Sequence, residues 1–185
     1  GQIGMDGETD NPIGSEVTVR FDDLIITEPT LVNSAPIFPT ELVANGTNST
    51  IRELQQRLLI PPQGDIAFTL GESFAQNNRV GISRFAIGDG RTATNFVIGA
   101  RISWVMNTTT DNGCGFVLRD DGDENYILAY LDSDGGYGLS ERSGSTFIEN
   151  QYYLPVASER PPHDIVLVVD DDVIHYYVDK KHVLS

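Results

Sequence analysis

Along most of this chain apolar and polar residues alternate with a period of two, the spacing of a strand with one buried and one wet face. In FVIGARISW, Phe96, Ile98, Ala100, Ile102 and Trp104 fall on one face and Arg101 and Ser103 on the other, which predicts a core-lining strand. GCGFVLRD follows. NYILAYLDS is apolar on both faces and predicts a central strand covered on each side. YGLSERSG resumes the alternation, and DIVLVVDDDVIHYYVDKKHV reads as two strand runs around a hairpin turn at Asp170, Asp171 and Asp172. Near the start, Val17, Val19 and Phe21 alternate with Thr18, Arg20 and Asp22, then Leu24, Ile25 and Ile26 run on until Pro29. Nothing within the first thirty residues offers this long strand a partner. One segment, TIRELQQRLLIPP, predicts a short lid-like helix near residues 50–59. Thr50 and Glu53 have capping-box spacing, Ile51, Leu54 and Leu58 share a face, and Pro61 with Pro62 ends it.

Many short strands with acidic and glycine turns predict an all-β fold, a two-sheet jelly-roll sandwich with that one helix. Residues 1–30 read as terminal strands that complete a sandwich, 31–63 as a linker carrying the helix, and 64–185 as the main sandwich. The length of 185 residues is enough for a real core. Lys and Arg total 12 against 27 Asp and Glu, a formal net charge of -15. Such a surface repels polyanions, which excludes nucleic acid and anionic membrane as partners. The one cysteine, Cys114, excludes an internal disulfide framework and reads as a buried inert thiol. No apolar run approaches the roughly 18 residues of a membrane helix, so no membrane insertion is expected.

The order FVIGARISW, GCGFVLRD, NYILAYLDSDGGYGL and DIVLVVDDDVIHYYVDKKHV resembles the concanavalin A-like lectin and glucanase superfamily. The laminin-G-like and 3-keto-disaccharide-hydrolase-like modules of secreted bacterial proteins are the nearest in pattern. The resemblance covers about residues 64–185. In that family a G-x-(I/V)-G-(L/M) segment and a last strand V-x-F-D-D-(L/V)-x-(I/V) follow the final hairpin. Here those two pieces are similar to Gly1 to Met5 and Val19 to Ile25, ahead of everything else. The resemblance therefore implies that the family's last strands stand first. A circularly permuted domain, a tandem array cut at an arbitrary point, a subunit lending strands to a neighbour, and a tail left from a preceding domain all fit that order. Val17, Val19, Phe21, Leu24 and Ile26 are the candidate assembly strand, because a sandwich without it would expose a long apolar edge.

Glycoside hydrolysis needs two carboxylates at a set separation, about 5 to 5.5 Å for retention. The resemblance implies a Glu-x-Asp-x-Glu strand for glucanase activity, and that motif is absent. No catalytic residue is expected and no cofactor is required. Calcium, which takes six to eight oxygens, is the one ion the composition suits. RDDGDEN and LDSDGG nominate Asp120, Asp121, Asp123, Asp132 and Asp134 as its ligands, with plain solvated turns the competing reading. His163, His175 and His182 have no spacing that places two on one ligand face, and His175 reads as a strand surface residue. Tyr137, Tyr152 and Tyr153 lie near turns and are candidates for stacking on sugar rings. Asn45, Asn48 and Asn107 fit the N-glycosylation pattern in expected loops. Together these features lead to an expectation of a non-enzymatic extracellular or cell-surface module, structural or adhesive. Its expected partners are copies of itself in a filament, or adjacent domains. A carbohydrate-binding module and a saccharide-acting hydrolase are the alternatives.

Overall fold

The computed structural model describes residues 2–9, 17–28, 38–44, 46–61, 65–70, 73–77, 81–86, 93–106, 112–133, 135–153 and 162–185. Its strands are β1 (Gln2–Thr9), β2 (Val17–Glu28), β3 (Asp65–Leu70), β4 (Ser73–Asn77), β5 (Gly81–Ala86), β6 (Phe96–Met106) and β7 (Asn112–Asp120), followed by β8 (Tyr126–Asp132), β9 (Tyr137–Ser143), β10 (Thr146–Tyr153), β11 (His163–Asp170), β12 (Val173–Val178) and β13 (Lys181–Leu184). One helix, α1 (Thr47–Gln56), precedes β3. Two antiparallel sheets and one short helix make the described chain all-β, a makeup consistent with a sandwich.

The chain forms two compact units, each drawn from three stretches. The first comprises Gly1–Arg20, Phe74–Ala93 and Ser103–Pro161, and its sheet runs β10-β9-β8-β7-β1-β5. Four strands consecutive in sequence, β7 to β10, form one side of it by simple hairpins. β1, from the opposite end of the chain, takes an interior place. It pairs antiparallel with β7, Gly7 opposite Cys114, and on its other edge with β5, Gly7 opposite Ser83.

Close approach inside this sheet is set by glycine. A Cβ on Gly115 would strike the carbonyl oxygen of Ala129 and lie 2.7 Å from Cα of Tyr130, so β7 and β8 can come this close only with a bare backbone at that position. β8 is buried on both faces, as its two-sided apolar run predicts. Tyr126 and Leu128 pack with Val117 on one side, and Ala129 and Leu131 are buried on the other.

The second unit comprises Phe21–Ser73, Thr94–Ile102 and Pro162–Ser185. Its sheet order is β13-β12-β11-β6-β2-β3. Along β6 the alternation holds, with Phe96, Ile98, Ala100 and Ile102 all buried. Val97 on the opposite face is buried as well, because α1 lies over that face. Leu42, Ile51, Leu54, Ile60, Val166 and Tyr177 gather around it in one apolar cluster. Gly99 admits the helix: a Cβ there would meet the methyl group of Thr47. The β11–β12 hairpin turns where the acidic run predicts, with Asp170 opposite Val173 and Asp171 at φ 47°. A second tight turn at Asp179 and Lys180, both at positive φ, leads into β13.

The helix departs from its sequence reading at both ends. It begins at Thr47, with Gly46 as N-cap and no side-chain cap, so Thr50 lies inside the first turns and is buried. Glu53 reaches past the helix instead, and its carboxylate accepts from Val43 N (2.8 Å) and Ala44 N (2.6 Å). Leu58 lies beyond the last turn at φ 57° and is 66% exposed, off the buried face of Ile51 and Leu54. The chain leaves the helical path before Leu58 can join that face.

Candidate functional site

The acidic turn after β7 is organised by its own carboxylates. Asp120 accepts from Gly122 N (2.9 Å) through Oδ1 and pairs with Arg84 (2.9 Å) through Oδ2. Asp121 accepts from Asp123 N (2.8 Å) and from the Asn125 side-chain amide (2.7 Å). That amide, followed by the Asp123 N–H, holds the Asp121 carboxyl below its ordinary value. Asp123 is exposed at the tip. In the next turn Asp132 accepts from Gly136 N (2.7 Å), while Asp134 lies outside the described residues. These bonds are what backbone turns ask of Asp side chains. Among the described residues no group of three or more His, Cys, Asp or Glu is placed to hold a metal ion.

Beside the turn, the Arg84 guanidinium stands 4.9 Å from the centre of the Tyr126 ring, and Arg142 lies 5.8 Å from that ring and 5.5 Å from Phe147. Arg142 also donates to Gly144 O (2.7 Å) and Glu124 (3.1 Å). Burial alone would lower its pKa, but Tyr126 and Glu124 raise it further than burial lowers it. The cluster joins β5, β7, β8 and β9 in one polar and aromatic seam, and sequence spacing gave no sign of it.

Of the candidate sugar platform, Tyr137 is 6% exposed, which corrects its reading as a surface aromatic. It starts β9 directly opposite Tyr153, and it is buried although Leu139 and Glu141 on the same face are progressively more exposed. The side chains of Tyr152 and Tyr153 lie outside the described residues. Asn48 is exposed on the first turn of α1 and not in a loop, because the helix starts earlier than the capping pattern indicates. Asn45 and Asn107 lie outside the described residues. The assembly-strand residues Val17, Val19, Phe21, Leu24 and Ile26 all fall on β2, which lies between β6 and β3 with Leu24 opposite Leu70 and Ile26 opposite Phe68. Their side chains are likewise outside the described residues.

No family model, curated protein or solved structure matches the chain. Its functional reading rests on its own residues. Among the described residues no helix is long and apolar enough to cross a membrane.

The histidines are where sequence spacing misleads most. His163 is buried and donates from Nδ1 to Asp179 (2.8 Å), whose other oxygen accepts from Asp164 N (3.0 Å). Burial raises the Asp179 carboxyl, and the His163 bond followed by the Asp164 N–H brings it below its ordinary value. Asp164 in turn holds Arg101 by a two-pronged pair at 2.9 and 3.0 Å. On the helix-bearing face of the same sheet, His175 of β12 and His182 of β13 lie with ring centres 5.6 Å apart. Phe38 stacks on His175 at 3.6 Å, and the Tyr177 ring lies 4.9 Å from His182. A hairpin whose register shifts between Tyr176 and Tyr177 brings the two imidazoles together, and no residue count along the chain reveals that shift. His175 is accordingly half-buried, not a bare strand surface residue.

Proposed function

We propose that the chain is a non-enzymatic structural or adhesive module of an extracellular or cell-surface protein. In this reading it is a jelly-roll unit of the concanavalin A-like kind that joins a tandem array or fibre by strand complementation. The observation that carries the reading is the interior position of β1, paired along both edges while entering from a stretch of chain remote from both partners. A strand delivered this way gives main-chain hydrogen bonds along two edges at once, and an equivalent strand from a neighbouring unit would make the same bonds. If the contact between units does not close on itself, a filament follows. Without β1 the sheet would be divided and β7 would present an open edge. The carboxylates of Asp120, Asp121 and Asp132 are taken up in holding turns, so hydrolysis and calcium binding at these positions have less support.

The register supplies a direct test. Gly7 and Cys114 are cross-strand partners. Antiparallel partners stand about 4.5 to 5.5 Å apart at Cα, within the span of a disulfide. Gly7→Cys, refolded under oxidising conditions over a range of protein concentrations, should give disulfide-linked multimers that grow with concentration. Crosslinked monomer alone at every concentration would mean that β1 serves only its own sheet, and assembly between separate copies would be lost.

A further inference from the structure

We propose that His175 and His182 form a two-imidazole site for a divalent transition-metal ion of the Zn2+, Ni2+ and Cu2+ class. The rings come from adjacent strands, and the site faces the segment at residues 38–42. That segment is tied along β13 by His182 N to Thr40 O (2.9 Å) and Leu42 N to Lys180 O (2.8 Å). Nδ1 of His175 and Nε2 of His182 are both shielded from solvent, and neither has a hydrogen-bond partner among the described residues. A buried imidazole nitrogen without a partner is costly, and a metal ion is one of the few groups that satisfies two of them together.

The spacing fits one ion. Ring centres 5.6 Å apart lie within the reach of one shared ion with metal–nitrogen bonds of about 2.0 to 2.1 Å. Phe38 covers the face of the His175 ring, whereas imidazole lone pairs lie in the ring plane, so coordination leaves the stack in place. His182 hydrogen-bonds the Leu184 backbone, the kind of support that orients a ligating imidazole. Burial, then the neighbouring His182, lowers His175 to about 4, and burial lowers His182 as well. Imidazole ligands favour zinc, copper and nickel over calcium and magnesium, which want oxygen.

The test is a titration of the full chain with Zn2+ or Ni2+, followed through the imidazole proton resonances and the melting temperature. One equivalent should shift or broaden the signals of His175 and His182, leave those of His163 in place, and raise the melting temperature. Ca2+ and Mg2+ should do neither. His175→Phe and His182→Gln keep the packing volume, and each should abolish the response. The proposal is overturned if neither ring signal moves, or if the response survives both substitutions. Should either variant fail to fold, the titration of the unmodified chain decides alone.

Discussion

Two glycines set how closely elements of this protein approach, and each can be tested by adding a single methyl group. Gly115→Ala places a Cβ against backbone atoms of β8, which cannot rotate away. Overpacking of this kind costs about 1 to 3 kcal/mol, so urea unfolding should show a lowered midpoint with an unchanged slope. Gly99→Ala meets a side chain instead, the methyl of Thr47. Serine at position 47 lacks that methyl, so Thr47→Ser should recover part of the loss. A double-mutant cycle should give a coupling of about 0.5 kcal/mol or more, since the two groups are in contact. Strictly additive losses would mean that the cost at position 99 does not come from the Thr47 methyl. At this scale the sequence was readable where a residue type has one strong preference. Phe96, Ile98, Ala100 and Ile102 line the core as their alternation requires. The purpose of Gly115 was not readable, because the strand beside it is known only once the sheet is assembled.

The helix shows how one pattern can serve two structures. Thr50 and Glu53 satisfy the spacing of a capping box, yet Glu53 ties the incoming chain at Val43 and Ala44 to α1. A carboxylate accepting several backbone N–H groups contributes about 1.5 to 3 kcal/mol, so Glu53→Gln should lower stability by an amount near the lower end of that range. The pH dependence has a definite sign. Burial raises the Glu53 carboxyl, but the Ala44 and Val43 N–H groups, with Arg57, bring it below its ordinary 4.5. Its contribution is therefore complete above pH 4.5 and is lost as acid carries the pH down through the lowered native value. Melting temperatures measured from pH 6 to pH 3 should fall less steeply in Glu53→Gln than in the unmodified chain. Equal slopes would show that the carboxylate stays as solvated in the folded chain as in the unfolded one. The β11–β12 hairpin was legible because Asp170 to Asp172 punctuate two apolar runs. The β12–β13 hairpin was not, since a single Asp179 is followed by Lys180, a residue type that gives no turn signal although it takes φ 73° here.

Over the whole molecule, the all-β character follows from periodicity, while the partners of β1 and β2 do not, because periodicity says which face is buried and never which strand lies alongside. β1 takes its place between β5 and β7, whose nearest residues are separated from it by long stretches of chain. Folds dominated by such distant pairings form in about milliseconds to seconds, slower than helical proteins of similar stability. Stopped-flow refolding should reach the native signal on that slow scale, and the monomer fraction of Gly7→Cys closed within one chain to Cys114, separated from the linked multimers, should refold faster, since the long loop is tied in advance. Equal rates would place β1 docking after the rate-limiting step. The same placement bears on how the protein is made. Residues 2–9 leave the ribosome well before residues 81–86 and 112–120, so β1 waits with both edges unpaired until β5 emerges and with one edge open until β7 does, inviting any exposed strand nearby. At the synthesis rate of about 5 to 20 residues per second, that interval lasts several seconds, and a chaperone that shields strand edges should raise the yield of this chain more than that of a protein whose sheet grows hairpin by hairpin.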